Sequence, residues 1–132
     1  MAQKFLVIDD HADGRSLITR TLLRRFPVAL TLDCVDAGTA VETAGSEYLD
    51  AIIVHRAGEV PGVELIQHLR RMNPSVPILA ISGIDRTKEA LAAGANQFLN
   101  YDEWLRVGSV IASMLKANTR PGMVQGATEV VA

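Results

Sequence analysis

The sequence predicts an α/β chain: a doubly wound parallel sheet of five strands with five helices in strict alternation. Three observations carry this. Short apolar runs alternate with helical periods along most of the chain. The runs Ala51-Ile52-Ile53-Val54 and Ile78-Leu79-Ala80-Ile81 are continuous, as in strands covered on both faces. Polar residues sit directly after such runs: Asp9-Asp10 after the first, His55 after the third and Ser82 after the fourth.

Each element has its own signal. Phe5 to Ile8 is a buried-strand run. A helical stretch comes next, about Asp13 to Phe26, with Ile18, Leu22 and Phe26 four apart and Pro27 beyond its end. Leu30 to Val35 alternates Leu30, Leu32 and Cys34 against Thr31 and Asp33, which predicts a more exposed strand near a sheet edge. Gly38 to Tyr48 is a weaker helix rich in Ala and Thr. Ala51 to Val54 reads as a central strand. Val63 to Met72 is a clear helix with Leu65, Ile66, Leu69 and Met72 on one face, stopped by Asn73-Pro74. Pro77 opens the run Ile78 to Ile81. Asp85 to Ala93 is a short helix capped by Gly94. Asn96 to Leu99 is the last strand. Asp102 is placed to cap a final helix whose apolar face is Trp104, Val107, Ile111, Met114 and Leu115.

Right-handed crossovers reduce the topology to the flavodoxin-like strand order 2-1-3-4-5. Ligands of such sheets bind beyond the carboxyl ends of the strands, at the switch between the first and third. Asp9, Asp10, His55 and Ser82 all fall at those ends.

Composition narrows the function. A chain of 132 residues, 48% apolar, buries one domain's core. A net charge of −2 with interspersed signs and 5% aromatics offers no basic stripe for nucleic acid. No apolar run approaches the ~20 residues of a membrane span, and the amino terminus lacks signal-peptide architecture. The single cysteine, Cys34, forms no internal disulfide and suits a reducing cytoplasm. After Asn118 the periodicity fails. Residues 1–117 are expected to form the domain, and 118–132 a flexible tail or the start of a linker.

With these residues placed, the chain resembles a response-regulator receiver domain of two-component signalling over about residues 4–117. Lys4 to Asp10 with Arg15, Ala37-Gly38, Leu49 to Val54, Pro61 to Leu65, Pro77 to Ser82 and Ala93 to Leu99 carry the resemblance in order. It implies that two acidic residues after the first strand and an aspartate after the third hold Mg²⁺. That aspartate would accept a phosphoryl group from a histidine kinase. A hydroxyl after the fourth strand and a lysine after the fifth would bind phosphoryl oxygens, while an aromatic on the fifth turns with the hydroxyl. Carried over, Asp9 and Asp10 match the acidic pair, Ser82 the hydroxyl and Phe98 the aromatic.

Three features depart from the pattern. His55 stands at the acceptor position, Tyr101 at the lysine position with Asp102 after it, and the loop from His55 to Gly62 is one residue short. Imidazole is a poor ligand for Mg²⁺, which takes oxygen donors in octahedral array. Tyr101 offers at most one neutral hydrogen bond in place of a cation. Mg²⁺ binding through Asp9 and Asp10 is therefore expected to be weak or lost, and no cofactor is expected.

His55 has four readings here: an internal counter-charge to Asp9 and Asp10, a phosphate acceptor on nitrogen, a transition-metal ligand with Asp9, Asp10 and His11, or a solvent-facing side chain. The expected function is an atypical receiver acting as a protein-interaction module without aspartyl phosphorylation. The alternatives are a phosphorelay protein with another acceptor such as His55, or a small-ligand flavodoxin-like domain. No nucleophile–base–orienter set points to an enzyme. The resemblance implies a histidine kinase or a downstream output protein as partner, and a homodimer through the fourth-helix, fifth-strand and fifth-helix face.

Overall fold

Residues 2–55 and 62–117 are described by the structure, a computed structural model. The expected tail at 118–132 and the expected short loop between His55 and Gly62 lie outside the described residues. Five strands, β1 (Lys4–Ile8), β2 (Leu30–Cys34), β3 (Ala51–Val54), β4 (Ile78–Ser82) and β5 (Gln97–Asn100), alternate with α1 (Ala12–Arg25), α2 (Ala37–Ser46), α3 (Gly62–Met72), α4 (Thr87–Ala93) and α5 (Val107–Ala117). The strands are parallel in the order β2-β1-β3-β4-β5, the flavodoxin-like arrangement. A 3₁₀ segment, Tyr101–Arg106, joins β5 to α5.

The continuous apolar runs arise from strand alternation between two covered faces. Leu6, Ile8, Ile52, Val54, Ile78 and Ala80 face α2 and α3, packing on Ala40, Ala44, Leu65, Ile66 and Leu69. Phe5, Val7, Ile53, Leu79 and Ile81 face α1 and α5, against Ile18, Leu22, Val107 and Ile111. β2 is an edge strand, and its alternation is graded: Leu30 is half exposed while Cys34 is buried. Asp36 caps α2 by accepting from the Thr39 N–H at 2.8 Å and the Thr39 hydroxyl at 3.1 Å. These bonds hold its carboxyl below the ordinary aspartate value.

Three local expectations are corrected. Asp102 does not cap the final helix. Asn100 does the capping, its side chain accepting from the Asp102 N–H at 2.9 Å, and it opens the 3₁₀ segment carrying Trp104; α5 starts only at Val107. Asp85 lies before α4 rather than in it, because its carboxylate accepts from the Thr87 N–H and hydroxyl at 3.0 and 2.7 Å. Met72, placed on the apolar face of α3, is 49% exposed; its methyl group lies over Gly45 of α2, where a Cβ would come within 2.5 Å.

Arg70 closes the far side of the sheet. Its guanidinium donates to the carbonyls of Gly94 (3.1 and 2.7 Å), Asn73 (3.1 Å) and Val76 (2.6 Å), and to Asn96 Oδ1 (2.9 Å). Gly94 has φ 126°, which a side-chain-bearing residue rarely adopts, and this presents its carbonyl to Arg70. Arg70→Met is expected to cost roughly 2–3 kcal/mol, since it leaves part-buried carbonyls without donors. Arg70→Lys should recover little, because an ammonium cannot reproduce the planar fork. Urea denaturation of both variants checks this.

Candidate functional site

Asp9 and His55 each come directly after the last residue of a strand, and the strands are neighbours. Ile8 is opposite Val54 in the β1–β3 register. The backbone ladder runs one step further: the His55 N–H donates to the Ile8 carbonyl at 2.8 Å, and the Asp9 N–H to the Cys34 carbonyl at 3.1 Å. The sheet itself therefore brings the two side chains together.

They meet in the interior. His55 Nδ1 lies 2.8 Å from Asp9 Oδ2, with the side chains 3% and 0% exposed. A carboxylate only accepts, so Nδ1 carries the proton in this contact. The other oxygen, Asp9 Oδ1, accepts the His11 N–H at 2.9 Å. The first turn of α1 seals the same carboxylate. Gly14 approaches Asp9 Oδ2 so closely that a Cβ there would collide with it. Arg15 donates from Nη1 to the Asp9 carbonyl at 2.7 Å, which fixes the backbone under the pair. Tyr101 covers the imidazole: the rings stack with centroids 4.4 Å apart and planes 10° from parallel.

The other predicted residues stand outside this cluster. Asp10 and His11 have exposed side chains. The Ser82 hydroxyl oxygen accepts from the Ile84 N–H at 3.1 Å, a local turn bond. Phe98 is half buried against the α2/α3 layer, opposite Ala80 in the sheet. Among the described residues, no group of three or more His, Cys, Asp or Glu is arranged to hold a metal ion.

The Mg²⁺ site implied by the resemblance does not fit the residues present. Each carboxylate oxygen of Asp9 already accepts a hydrogen bond, and residue 55 presents nitrogen where a hard cation needs oxygen. Sequence reasoning misses Gly14 and the cover provided by Tyr101. A glycine in the first turn of a helix, a few residues after a strand-end acid, is the available signal for the former.

The family model of the response regulator receiver domain matches residues 5–102. The chain belongs to the response regulator receiver family. A curated relative, the transcriptional regulatory protein ZraR of Klebsiella oxytoca, is 31% identical over 98 residues, covering 71% of this receiver and 22% of the relative. The chain thus spans about a fifth of that relative's length. A solved two-component response regulator of the LuxR family from Aurantimonas sp. SI85-9A1 superposes with TM-score 0.79 at 20% identity, covering 95% of this chain and 94% of the other; at that identity the likeness shows the fold. A response regulator protein from Burkholderia pseudomallei, solved with a phosphorylated aspartic acid, calcium ion and citrate, superposes with TM-score 0.68 at 27% identity, over 87% of this receiver and 71% of that chain. Receivers of this family engage histidine kinases and output domains. No helix among the described residues is long and apolar enough to cross a membrane.

Proposed function

We propose that this receiver is an atypical one, a protein-interaction module of two-component signalling that works without aspartyl phosphorylation at the end of β3. The buried contact between His55 Nδ1 and Asp9 Oδ2 carries the reading. Phosphoryl transfer in this fold needs a carboxylate nucleophile and concentrated positive charge at the transferred group. Position 55 offers neither the carboxylate nor an oxygen ligand. Tyr101, at the lysine position, offers a ring stacked on His55 in place of a permanent cation. The imidazole N–H does for Asp9 what a cation would do: it satisfies the carboxylate in a site closed to water.

We read residues 1–117 as the receiver and 118–132 as a tail or linker, in a cytoplasmic protein that needs no cofactor and is not an enzyme. The partner is a histidine kinase or an output protein, engaged through α4, β5 and α5; homodimerisation would use that same face. Leu91 of α4 is 44% exposed, which suits such a contact. Phosphate on His55 draws less support, since Nδ1 is engaged by Asp9 and one face of the ring is covered. A small-ligand role draws little more. A groove of about 580 Å³, lined by Gln3, Phe26, Pro27, Val28, Leu115 and Lys116 among others, lies at the amino ends of the strands, opposite His55.

Intact-mass measurement after incubation with Mg²⁺ and acetyl phosphate tests the proposal. The expected mass is that of the unmodified chain. A phosphoryl adduct in good yield overturns it, and an acid-labile adduct lost in His55→Asn would transfer the role to the imidazole.

A further inference from the structure

The groove of about 580 Å³ at the amino side of the sheet runs between the carboxyl ends of α1 and α5. Phe26, Pro27, Val28 and Leu115 give it an apolar lining, and Arg25 and Lys116 a charged one. Its floor is continuous with the core. Phe26 is buried edge-on to Phe5, with ring centroids 5.1 Å apart, and Leu115 packs on the same cluster. Val28 is 76% exposed, the most of any large apolar side chain among the described residues. Its backbone is nonetheless held in a turn: the Ala29 N–H donates to the Phe26 carbonyl at 3.0 Å, and the Leu30 N–H to the Gln3 carbonyl at 2.8 Å. An apolar side chain fixed there, beside an apolar groove, marks a surface that another segment covers.

Charge narrows what that segment is. Arg25 and Lys116 are exposed, and among the described residues neither joins an ion pair. The Arg25 guanidinium lies 5.3 Å from the centroid of the Phe26 ring, which keeps the charge over the groove. No acidic side chain is among the described lining residues. The groove therefore suits an aliphatic segment that carries a carboxylate. This chain supplies one. From Ala117 at the end of α5 it continues into residues 118–132. Met123-Val124 and Val130-Val131 are apolar pairs, and Glu129, the one acid in this stretch, directly precedes the second. Pro121-Gly122 is a turn dipeptide, placed to send the chain back toward the groove. A short tether holds a segment at an effective concentration on the order of millimolar, so even a weak site is filled.

We propose that residues 123–131 of this chain seat on the groove between the carboxyl ends of α1 and α5. Val130 and Val131 cover Val28 and Leu115, and Glu129 faces Arg25 and Lys116. The segment is then a cover held in cis at the end of the sheet opposite His55. A partner that takes the segment uncovers the groove, and a partner that takes the groove releases the segment. The proposal rests on the groove and the charges, and does not depend on whether the receiver is phosphorylated.

Methyl NMR on the whole chain, with valine and leucine methyls labelled, tests this. Cross-peaks are expected between the methyls of Val28 or Leu115 and those of Val130 or Val131. In Val130→Asp with Val131→Asp the Val28 methyl resonances should move while those of buried Val7 hold. Arg25→Glu should lower the seating equilibrium constant by about threefold, the size of a rim ion pair. Glu129→Arg added to Arg25→Glu should restore it, which a merely structural role for Arg25 does not predict. Three outcomes overturn the proposal. The first is the lack of any cross-peak from Val28 or Leu115 to residues 123–131. The second is cross-peaks found only between differently labelled copies, which gives the groove to a second chain. The third is a charge swap whose two changes simply add. None of these readouts involves residue 55, so failure here is distinguishable from failure of the acetyl phosphate experiment.

Discussion

Replacing His55 by leucine lowers the unfolding free energy by on the order of 3 kcal/mol, the cost of leaving a buried carboxylate oxygen without its donor. Asp9 is fully buried and His55 nearly so. Without the imidazole, Asp9 Oδ2 faces leucine, while Oδ1 keeps the His11 N–H. Urea denaturation should show the midpoint fall by roughly 2 M, given slopes of about 1–3 kcal/mol per molar for a domain this size. The decisive comparison is a second change. Asp9→Asn in the wild-type background should destabilise, because it weakens the bond with Nδ1. Added to His55→Leu, the same change should restore part of the loss, since a neutral amide is cheaper to bury than a lone carboxylate. If Asp9→Asn is destabilising in both backgrounds by the same amount, the pair contributes nothing as a pair.

Which of these features are legible in the sequence depends on which rules are local. Strand type and order are legible because burial on both faces writes continuous apolar runs, as in Ile52-Ile53-Val54, and crossover handedness then leaves few topologies. The meeting of Asp9 and His55 is legible for the same reason: each lies just past a strand end, and the strands are neighbours. In the sequence the acidic pair reads as a unit, whereas the fold separates its members. Asp9 extends β1 into the core and Asp10 is exposed. Capping is less legible, because Asn100 and Asp102 are both good caps and only the kinked 3₁₀ geometry chooses Asn100. Tyr101 reads as a hydrogen-bond donor in place of lysine. Its face-on contact with His55 depends on how β5 and β3 sit across β4, a tertiary fact that no sequence window contains.

The paired change His55→Asp with Tyr101→Lys should make the stability of this domain depend on a divalent metal. It places a second carboxylate against Asp9 at the switch between β1 and β3. Two acids this close repel each other, and the single ammonium introduced at position 101 can neutralise only one of them, so one carboxyl is pushed above its ordinary value. A carboxyl raised in the folded state is protonated more readily there than in the unfolded chain. Stability is then present at low pH and is lost as pH rises from about 4 through the raised value. In the presence of a chelator, the variant should melt progressively lower between pH 5 and pH 8. Saturating Mg²⁺ should reverse this, since a ligand at 100 times its Kd adds about 2.7 kcal/mol. That corresponds to a rise of about 10 °C in Tm for a domain this size. Wild type should show no Mg²⁺-dependent shift, because both oxygens of Asp9 are already taken by hydrogen-bond donors. A variant that gains no thermal shift from Mg²⁺ would mean that Asp9 and Asp10 cannot be brought to one cation even when His55 is removed. The imidazole would then occupy a place in this receiver that no metal could fill.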